Sequence, residues 1–332
     1  MVAISEIRQQ ITTVKNLGSG LVAVFVGGTS GIGLSTAREF TRYAAAPHIY
    51  LIGRNEAQAS EIISELQTIN ESATVSFVKS DVSLLKNVDE ACQEISKREE
   101  KVNLLFLSAG IMTTKGRTET SEGIDKKLSL HYYSRMRFIQ NFLPQLSQAA
   151  SSGALARVVS VLGPSTEGKL FEDDLDLQKN YSLLNAATHA VTMTSLSMIH
   201  LAASNPTISF IHSAPGGVNT NLIRDFNPLA KILANGAFAL LTPIGSKIGL
   251  IPLKESGERH VYASTYPAFA PKDKKVETVG ADGEKGSGVY RVHFDSSIVT
   301  SKQDLIKDYL SKGVVKTVWE HTVAVIDKAV GK

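Results

Sequence analysis

Cysteine is almost absent from this chain of 332 residues, and neither sign of charge dominates it. The single Cys92 excludes an internal disulfide and fits a protein of a reducing compartment. Lysine and arginine total 35 against 32 aspartate and glutamate residues, and the net charge of +3 is too small and too dispersed to indicate binding to nucleic acid. We therefore expect neither a disulfide scaffold nor a nucleic-acid partner.

Long apolar runs are also missing. The longest uncharged stretch, Ile232 to Ser246, has 15 residues and contains glycine and proline, whereas a transmembrane helix needs about 20 apolar residues. The N-terminal segment holds no apolar core of signal-peptide length. No histidine, cysteine or carboxylate cluster has the spacing of a metal site. We expect a cytoplasmic protein with no transmembrane segment and no metal.

Apolar residues make up 43% of the chain and charged residues 20%, which is ordinary for a globular protein. Up to about Pro215, short apolar runs alternate with amphipathic segments, a pattern typical of βαβ units. The predicted strands are Leu21 to Gly27, His48 to Ile52, Thr74 to Lys79, Leu104 to Ser108, Arg157 to Leu162 and Ile208 to Ser213. The predicted helices are Ile32 to Ala44, Glu56 to Ile69, Lys86 to Lys97, Lys127 to Gln148 and Leu183 to Ala203.

These elements predict a Rossmann-like α/β fold, a doubly wound parallel sheet in a single domain with a C-terminal extension. We place the dinucleotide-binding and catalytic core at residues 18–225, and a lid with a C-terminal helical extension at residues 226–332. Beyond Asn219 we predict an apolar lid from Asn221 to Leu253, a helix and a strand around Gly257 to Thr265, and a polar surface segment from Pro271 to Gly286. Two packed helices, Ser301 to Leu310 and Val315 to Ala329, are predicted to follow.

A glycine-rich turn follows the first predicted strand and leads directly into a helix. Glycine there lets the backbone approach a pyrophosphate, and the exposed N–H groups of a helix N-terminus attract an anion. A tight strand-to-helix turn also selects glycine for steric reasons alone, which leaves that alternative open. The candidate phosphate-binding residues are Gly27, Thr29, Ser30, Gly31, Ile32 and Gly33.

Arg54 lies 21 residues beyond Gly33, at the spacing where dinucleotide-binding units place the residue that meets the adenosine ribose. A guanidinium pairs with a 2′-phosphate, so the sequence predicts NADP(H) as cofactor; a solvated surface arginine is the alternative. The residues that follow the second, third and fourth strands complete this part of the predicted site: Asn55, Asp81, Val82, Ser108, Ala109 and Gly110.

These motifs resemble the short-chain dehydrogenase/reductase family over about residues 18–225. The resemblance rests on the glycine turn, Asp81-Val82, Ser108-Ala109-Gly110 and Pro215-Gly216. It implies that the nicotinamide lies beside Pro215, Gly216, Val218 and Thr220. The tail, with its segments Gly286 to Tyr290 and Val318 to Thr322, further resembles a fungal branch associated with secondary-metabolite biosynthesis.

The catalytic residues depart from the set of Asn, Ser, Tyr and Lys that the resemblance implies. Tyr181 occupies the tyrosine position, and Asn185, four residues later, replaces the lysine. Gly163 stands where the serine is expected, with Ser165 two residues beyond, and His131 replaces the asparagine. We therefore expect Tyr181, His131, Asn185 and Ser165 to be the catalytic candidates.

Without the lysine, a tyrosine of pKa near ~10 stays protonated at neutral pH, which favours proton donation and therefore reduction. The first hypothesis is an NADP(H)-dependent reductase acting on a carbonyl or activated alkene of an apolar small molecule, with Tyr181 as proton donor. The second is an isomerase, dehydratase or cyclase that uses Tyr181 and His131, and the third is a silent nucleotide-binding protein. Tyr181 as a packing residue and His131 as an interior histidine remain structural alternatives.

The resemblance also implies a homodimer formed by the two long helices from Lys127 and from Leu183.

Overall fold

A computed structural model describes residues 1–218 and 249–331. The described strands are β1 Val22–Val26, β2 His48–Gly53, β3 Thr74–Lys79, β4 Leu104–Leu107, β5 Arg157–Val161, β6 Ser209–Ser213 and β7 Val289–Val292. They form one parallel sheet in the order β3-β2-β1-β4-β5-β6-β7. The strand order reverses between β1 and β4, which opens a crevice at the carboxyl ends of the strands.

Helices cover both faces of the sheet. They are α1 Ile4–Ile11, α2 Gly31–Tyr43, α3 Glu56–Ile69, α4 Leu85–Ser96, α5 Lys126–Leu128, α6 Ser134–Ser151, α7 Leu183–Ser204, α8 Leu253–Thr265, α9 Gln303–Ser311 and α10 Val314–Val330. A π-helical turn, Ser129–Tyr133, joins α5 to α6, and short 3₁₀ segments lie at Thr12–Leu17 and Lys272–Lys274.

The alternation of side chains along β1 shows how one buried strand serves two cores. Val22, Val24 and Val26 join the apolar cluster beneath α4, α6 and α7. Ala23 and Phe25 join the cluster beneath α1, α2 and α8 on the opposite face. Because successive residues of a strand point to opposite faces, a strand buried on both sides is apolar throughout. The predicted α/β class and doubly wound sheet are confirmed.

Several details of the sequence interpretation were incomplete or wrong. All six predicted strands are present, but β7 was missed because its four residues include Arg291 and offer little periodicity. The strand suggested around Gly257 to Thr265 is wrong, since α8 covers that whole range. Most of the predicted lid, together with Thr220, lies outside the described residues.

The C-terminal helix packs on the core of its own chain. Val318, Thr322 and Ile326 form the buried stripe of α10, and the Thr322 hydroxyl lies within hydrogen-bond distance of the buried Tyr132 hydroxyl. Every residue of α7 from His189 to Ile199 is buried in the single chain. Helix α10 therefore packs, within the same chain, against the helix pair that was expected to meet a partner subunit. No helix in the described ranges has the length and apolarity needed to cross a membrane.

Candidate active site

A cavity of about 670 Å³ opens at the carboxyl ends of the strands, across the point where the strand order reverses. Residues from the loops after β1 to β6 line it, which brings segments distant in sequence into one site. Of the predicted site residues, it brings together Gly27, Thr29, Ser30, Gly31, Ile32, Gly33, Arg54, Asp81, Val82, Ser108, Ala109, Gly110, His131 and Pro215.

The glycine turn between β1 and α2 forms part of the cavity wall. Gly27 has a φ of 82°, and a Cβ on it would lie 2.7 Å from the backbone nitrogen of Ala109. A side chain there would strain the backbone and collide with the loop after β4. The helix begins at Gly31, so its first N–H groups face the cavity end where the backbone is bare. The turn therefore fits a dinucleotide pyrophosphate.

Arg54 stands on the cavity wall immediately after β2. Its side chain is exposed and makes no ion pair with any residue in the described ranges. Nearby, burial acts to raise the pKa of Asp81, but hydrogen bonds from Ser83 and the charge of Arg54 lower that pKa overall. Asn55 does not line the cavity. It accepts a hydrogen bond from the Gln58 backbone at 3.3 Å and so caps α3.

His131 lies at the inner end of the cavity, within the π-helical turn. Its Nε2 accepts a hydrogen bond of 3.1 Å from the backbone N–H of Ile111, which leaves the proton on Nδ1. Burial, together with the charges of Arg135 and Lys127, lowers the pKa of His131 to about 3. His131 is therefore a neutral hydrogen-bond donor at physiological pH. Single π turns in helices often occur at functional sites.

Lys127 and Arg135 also line the inner end, and the sequence interpretation missed both. The Lys127 ammonium donates to the backbone oxygens of Lys115 and Gly116, and burial lowers its pKa. The sequence contained an indication of both residues: Lys127, His131 and Arg135 follow one another at intervals of four residues and therefore share one face of a predicted helix. The inner end of the site therefore has three basic residues.

The similarity of the sequence to known proteins agrees with this geometry. The family model for short chain dehydrogenases matches residues 21–229. The chain belongs to the short-chain dehydrogenase family. This dehydrogenase is 42% identical over 322 residues to Oxidoreductase AN1596 of Emericella nidulans, covering 93% of this chain and 94% of that protein. It is 37% identical over 344 residues to Oxidoreductase andH of Emericella variicolor, covering 100% of this chain and 98% of that one.

The resemblance to a fungal branch of the family is thus confirmed by fungal oxidoreductases that match nearly the whole chain. The solved structure of L-sorbose reductase from Gluconobacter frateurii, complexed with NADPH and L-sorbose, has the same fold. It aligns with a TM-score of 0.58 at 20% identity, covering 85% of this chain and 98% of the reductase. The protein is a short-chain dehydrogenase-type oxidoreductase.

Tyr181 of this dehydrogenase does not line the cavity. The helix begins only at Leu183, so Tyr181 precedes it, and the Lys127 ammonium lies 5.3 Å from the centre of the Tyr181 ring. The phenol hydroxyl is buried, and the Asp125 carboxylate acts on it through its charge and through hydrogen bonding. Burial, with the negative charge of Asp125, raises the pKa of Tyr181 to about 12. The structure therefore places Lys127, and not the phenol, on the cavity wall.

Asn185 and Ser165 also lie away from the cavity. The cavity face of α7 consists of apolar residues at helical spacing, Leu183, Ala186, Ala187, Ala190 and Val191. Asn185 is on another face, where its amide donates to the Asn180 backbone oxygen at 2.7 Å. Ser165 has a φ of 94°, and its backbone N–H donates to the buried Glu167 carboxylate. Neither side chain occupies the place that the dehydrogenase family pattern suggests.

The loop after β6 contains the last of the predicted nicotinamide-binding residues that the structure describes. Gly216 and Val218 do not line the cavity, although the adjacent Pro215 does. Gly216 has a φ of 69°, and a Cβ on it would lie 2.7 Å from the Gly249 backbone oxygen. Close packing against the backbone of Gly249 therefore explains why position 216 is a glycine. The inner wall of this dehydrogenase combines basic side chains with an apolar helix face.

Proposed function

We propose that the chain is an NADP(H)-dependent reductase that acts on a carbonyl or an activated alkene of an apolar small molecule. The observation that carries this proposal is one cavity that is lined both by the bare glycine turn and Arg54 and by Lys127, His131 and Arg135. When bound, the nicotinamide nucleotide would supply the hydride. The chain's own residues would bind the nucleotide, orient the substrate and deliver a proton.

The preference for NADP(H) over NAD(H) rests on Arg54. Its guanidinium lines the cavity and has no ion-pair partner among residues 1–218 and 249–331. An unpaired guanidinium forms strong charge-assisted hydrogen bonds with a phosphate. The L-sorbose reductase of the same fold is complexed with NADPH, which agrees with this proposal without determining the coenzyme of this chain.

The apolar character of the substrate rests on the inner wall. The side chains facing the cavity there include Leu130, Leu162, Leu183, Ala187 and Val191. Such a wall favours a bulky hydrocarbon body, while the few polar groups orient its reacting oxygen. A role in secondary-metabolite biosynthesis and a cytoplasmic location belong to this proposal; the free, buried Cys92 agrees with the latter.

The proton donor in this proposal differs from the one expected from sequence. Tyr181 retains its proton, but its hydroxyl is buried and the residue does not line the cavity, whereas Lys127 does. We assign proton delivery to Lys127 Nζ, with the Nδ1–H of His131 as a hydrogen-bond donor that polarises the reacting oxygen. Tyr181 then acts by holding the ammonium against its ring.

The isomerase, dehydratase or cyclase alternative is less well supported. It requires His131 to exchange a proton, yet burial and two neighbouring cations lower the pKa of His131 to about 3. An imidazole of so low a pKa is a weak base at neutral pH.

The test is to incubate the purified protein with NADPH and a panel of apolar cyclic ketones, quinones and enones, and to follow both the nucleotide absorbance and the organic products. Reduction with stoichiometric loss of NADPH absorbance supports the proposal. Product formation without loss of absorbance would favour the non-redox class. Absence of saturable binding by either NADPH or NADH would refute the proposal.

A further inference from the structure

Arg135 is a buried cation whose hydrogen-bond partners are all uncharged. Its Nε donates to the backbone oxygen of Leu130 at 3.2 Å, and its Nη1 donates to Ser160 Oγ at 2.9 Å and to the Val161 oxygen at 2.6 Å. Its Nη2 donates to the Ala109 oxygen at 2.8 Å. Arg135 therefore ties the carboxyl ends of β4 and β5 together directly beneath the cavity.

No carboxylate within the described ranges forms an ion pair with Arg135. The neighbouring Arg137 pairs with Asp89, and the buried Arg291 pairs with Glu167 at 3.1 Å. Burial alone, with no compensating anion, lowers the pKa of Arg135 to about 9. Because a guanidinium keeps its proton in proteins, a positive charge persists at this position.

The other charges at the inner end do not cancel it. Lys127 adds a second cation, and His131 is neutral. Asp81 is the single acidic residue among the described residues that line the cavity; it follows β3 and is not among the groups that shift the pKa of Arg135. Asp125 lies on the Lys127 side and acts to raise the Lys127 pKa, but it is not among the groups that shift the pKa of Arg135.

We propose that the fixed charge of Arg135 makes the cavity bind the reduced nicotinamide nucleotide more tightly than the oxidised one. This inference rests on the proposed function. The oxidised nicotinamide ring carries a positive charge and the reduced ring carries none, while the phosphates, riboses and adenine are common to both. A nearby cation that lacks a counter-ion therefore disfavours only the oxidised form. The site would hold NADPH before reaction and release NADP⁺ afterwards, which suits a reductase.

The size of the preference follows from Coulomb's law. A unit charge within about 10 Å of the ring, at an effective dielectric constant of about 20, corresponds to a preference on the order of tenfold or more. Because Arg135 is buried, added salt should reduce this preference little.

The experiment measures dissociation constants of NADPH and NADP⁺ by calorimetry, without any substrate, for the wild type, Arg135→Gln and Arg135→Lys. We expect the wild type to bind NADPH about tenfold more tightly than NADP⁺. Arg135→Lys, which retains the charge, should keep most of that ratio, whereas Arg135→Gln should bring it to within about threefold of unity. NADH and NAD⁺ should give the same ratio in the wild type, because the ring is the same.

Arg157 supplies a matched control. It is also a buried guanidinium bonded to backbone oxygens, those of Ala263, Tyr266 and Phe269, but it lies at the start of β5 and does not line the cavity. Arg157→Gln, which removes a buried charge that does not line the cavity, should leave the ratio unchanged. If Arg135→Gln does not fold, as judged by its thermal melt, Lys127→Met provides the second variant, and it should lower the ratio in the same direction.

The outcomes separate the two proposals. Equal affinity of the wild type for NADPH and NADP⁺, or an unchanged ratio in Arg135→Gln, would overturn the inference while leaving the proposed function in place. Failure of every nicotinamide nucleotide to bind would overturn both. A wild-type preference for NADPH that is kept in Arg135→Lys and largely lost in Arg135→Gln would support the inference.

Discussion

Replacing Arg54 by glutamine should weaken NADPH binding far more than NADH binding. The guanidinium is exposed on the cavity wall and unpaired within the described ranges, so its removal breaks no ion pair of the fold there. A hydrogen bond to a charged group contributes about 1.5 to 3 kcal/mol, which corresponds to roughly a 10- to 150-fold loss of affinity for the 2′-phosphorylated nucleotide. NADH lacks that phosphate, and its affinity should change by less than about threefold.

The assay is a calorimetric titration of each nucleotide at about 0.15 M salt, because an exposed charge pair is screened at higher ionic strength. Arg38→Gln is the matched control: Arg38 lies on α2, pairs with Glu65 at 2.7 Å and does not line the cavity. It should leave both affinities unchanged. Equal losses for NADPH and NADH in Arg54→Gln, or no loss of either, would refute the assignment of Arg54 to the 2′-phosphate.

Three further predictions address the proton donor, the response to acid and the oligomeric state. Lys127→Gln should lower turnover by about 100-fold. It should also abolish the fall in rate at alkaline pH, which in the wild type follows loss of the ammonium proton. Tyr181→Phe should lower turnover less than about tenfold, and the reverse ranking of the two variants would restore Tyr181 as the proton donor. Burial lowers the pKa of His260 to about 4 from its ordinary 6.5, so the folded state resists protonation and stability should fall as pH drops from 6.5 towards 4. His260→Leu should lessen that fall by up to about 3 kcal/mol in denaturant titrations, and an unchanged fall would contradict the argument. Because α10 covers α7, light scattering should give a monomer mass of 35.7 kDa, and a dimer that persists on dilution would contradict this use of the helix.

The fold, and the place of the candidate nucleotide-binding residues on the cavity wall, could be predicted because they depend on local patterns. The apolar run of β1 and the glycines after it determine a strand, a turn and a helix within a dozen residues. The place of Arg54 on the cavity wall could be predicted for the same reason, because its distance from Gly33 along the chain sets its position after β2. Parallel strands then bring the remaining loops to the same edge of the sheet.

The positions of the catalytic candidates could not be predicted in the same way because they depend on where a helix begins. The family spacing pointed to Tyr181, but Ser182 caps α7, so the helix starts after the tyrosine and turns Leu183 and Ala187 towards the cavity. Lys127 and Arg135 were overlooked although their spacing of four residues from His131 places them on one helix face, because the sequence alone does not distinguish a buried cation from a solvated one. The covering of α7 by α10 likewise depends on a contact between segments far apart in sequence.

The central claim is that the cavity at the carboxyl ends of β1 to β6 binds a nicotinamide dinucleotide through the glycine turn. Calorimetric titration of the wild-type protein with NADPH tests it most directly. We expect the wild type to show saturable binding of one nucleotide per chain. Gly27→Val should lose this binding, because its added side chain would meet Ala109. Circular dichroism should show that Gly27→Val is still folded. Binding that survives in a folded Gly27→Val, or no heat of binding in the wild type, would contradict it.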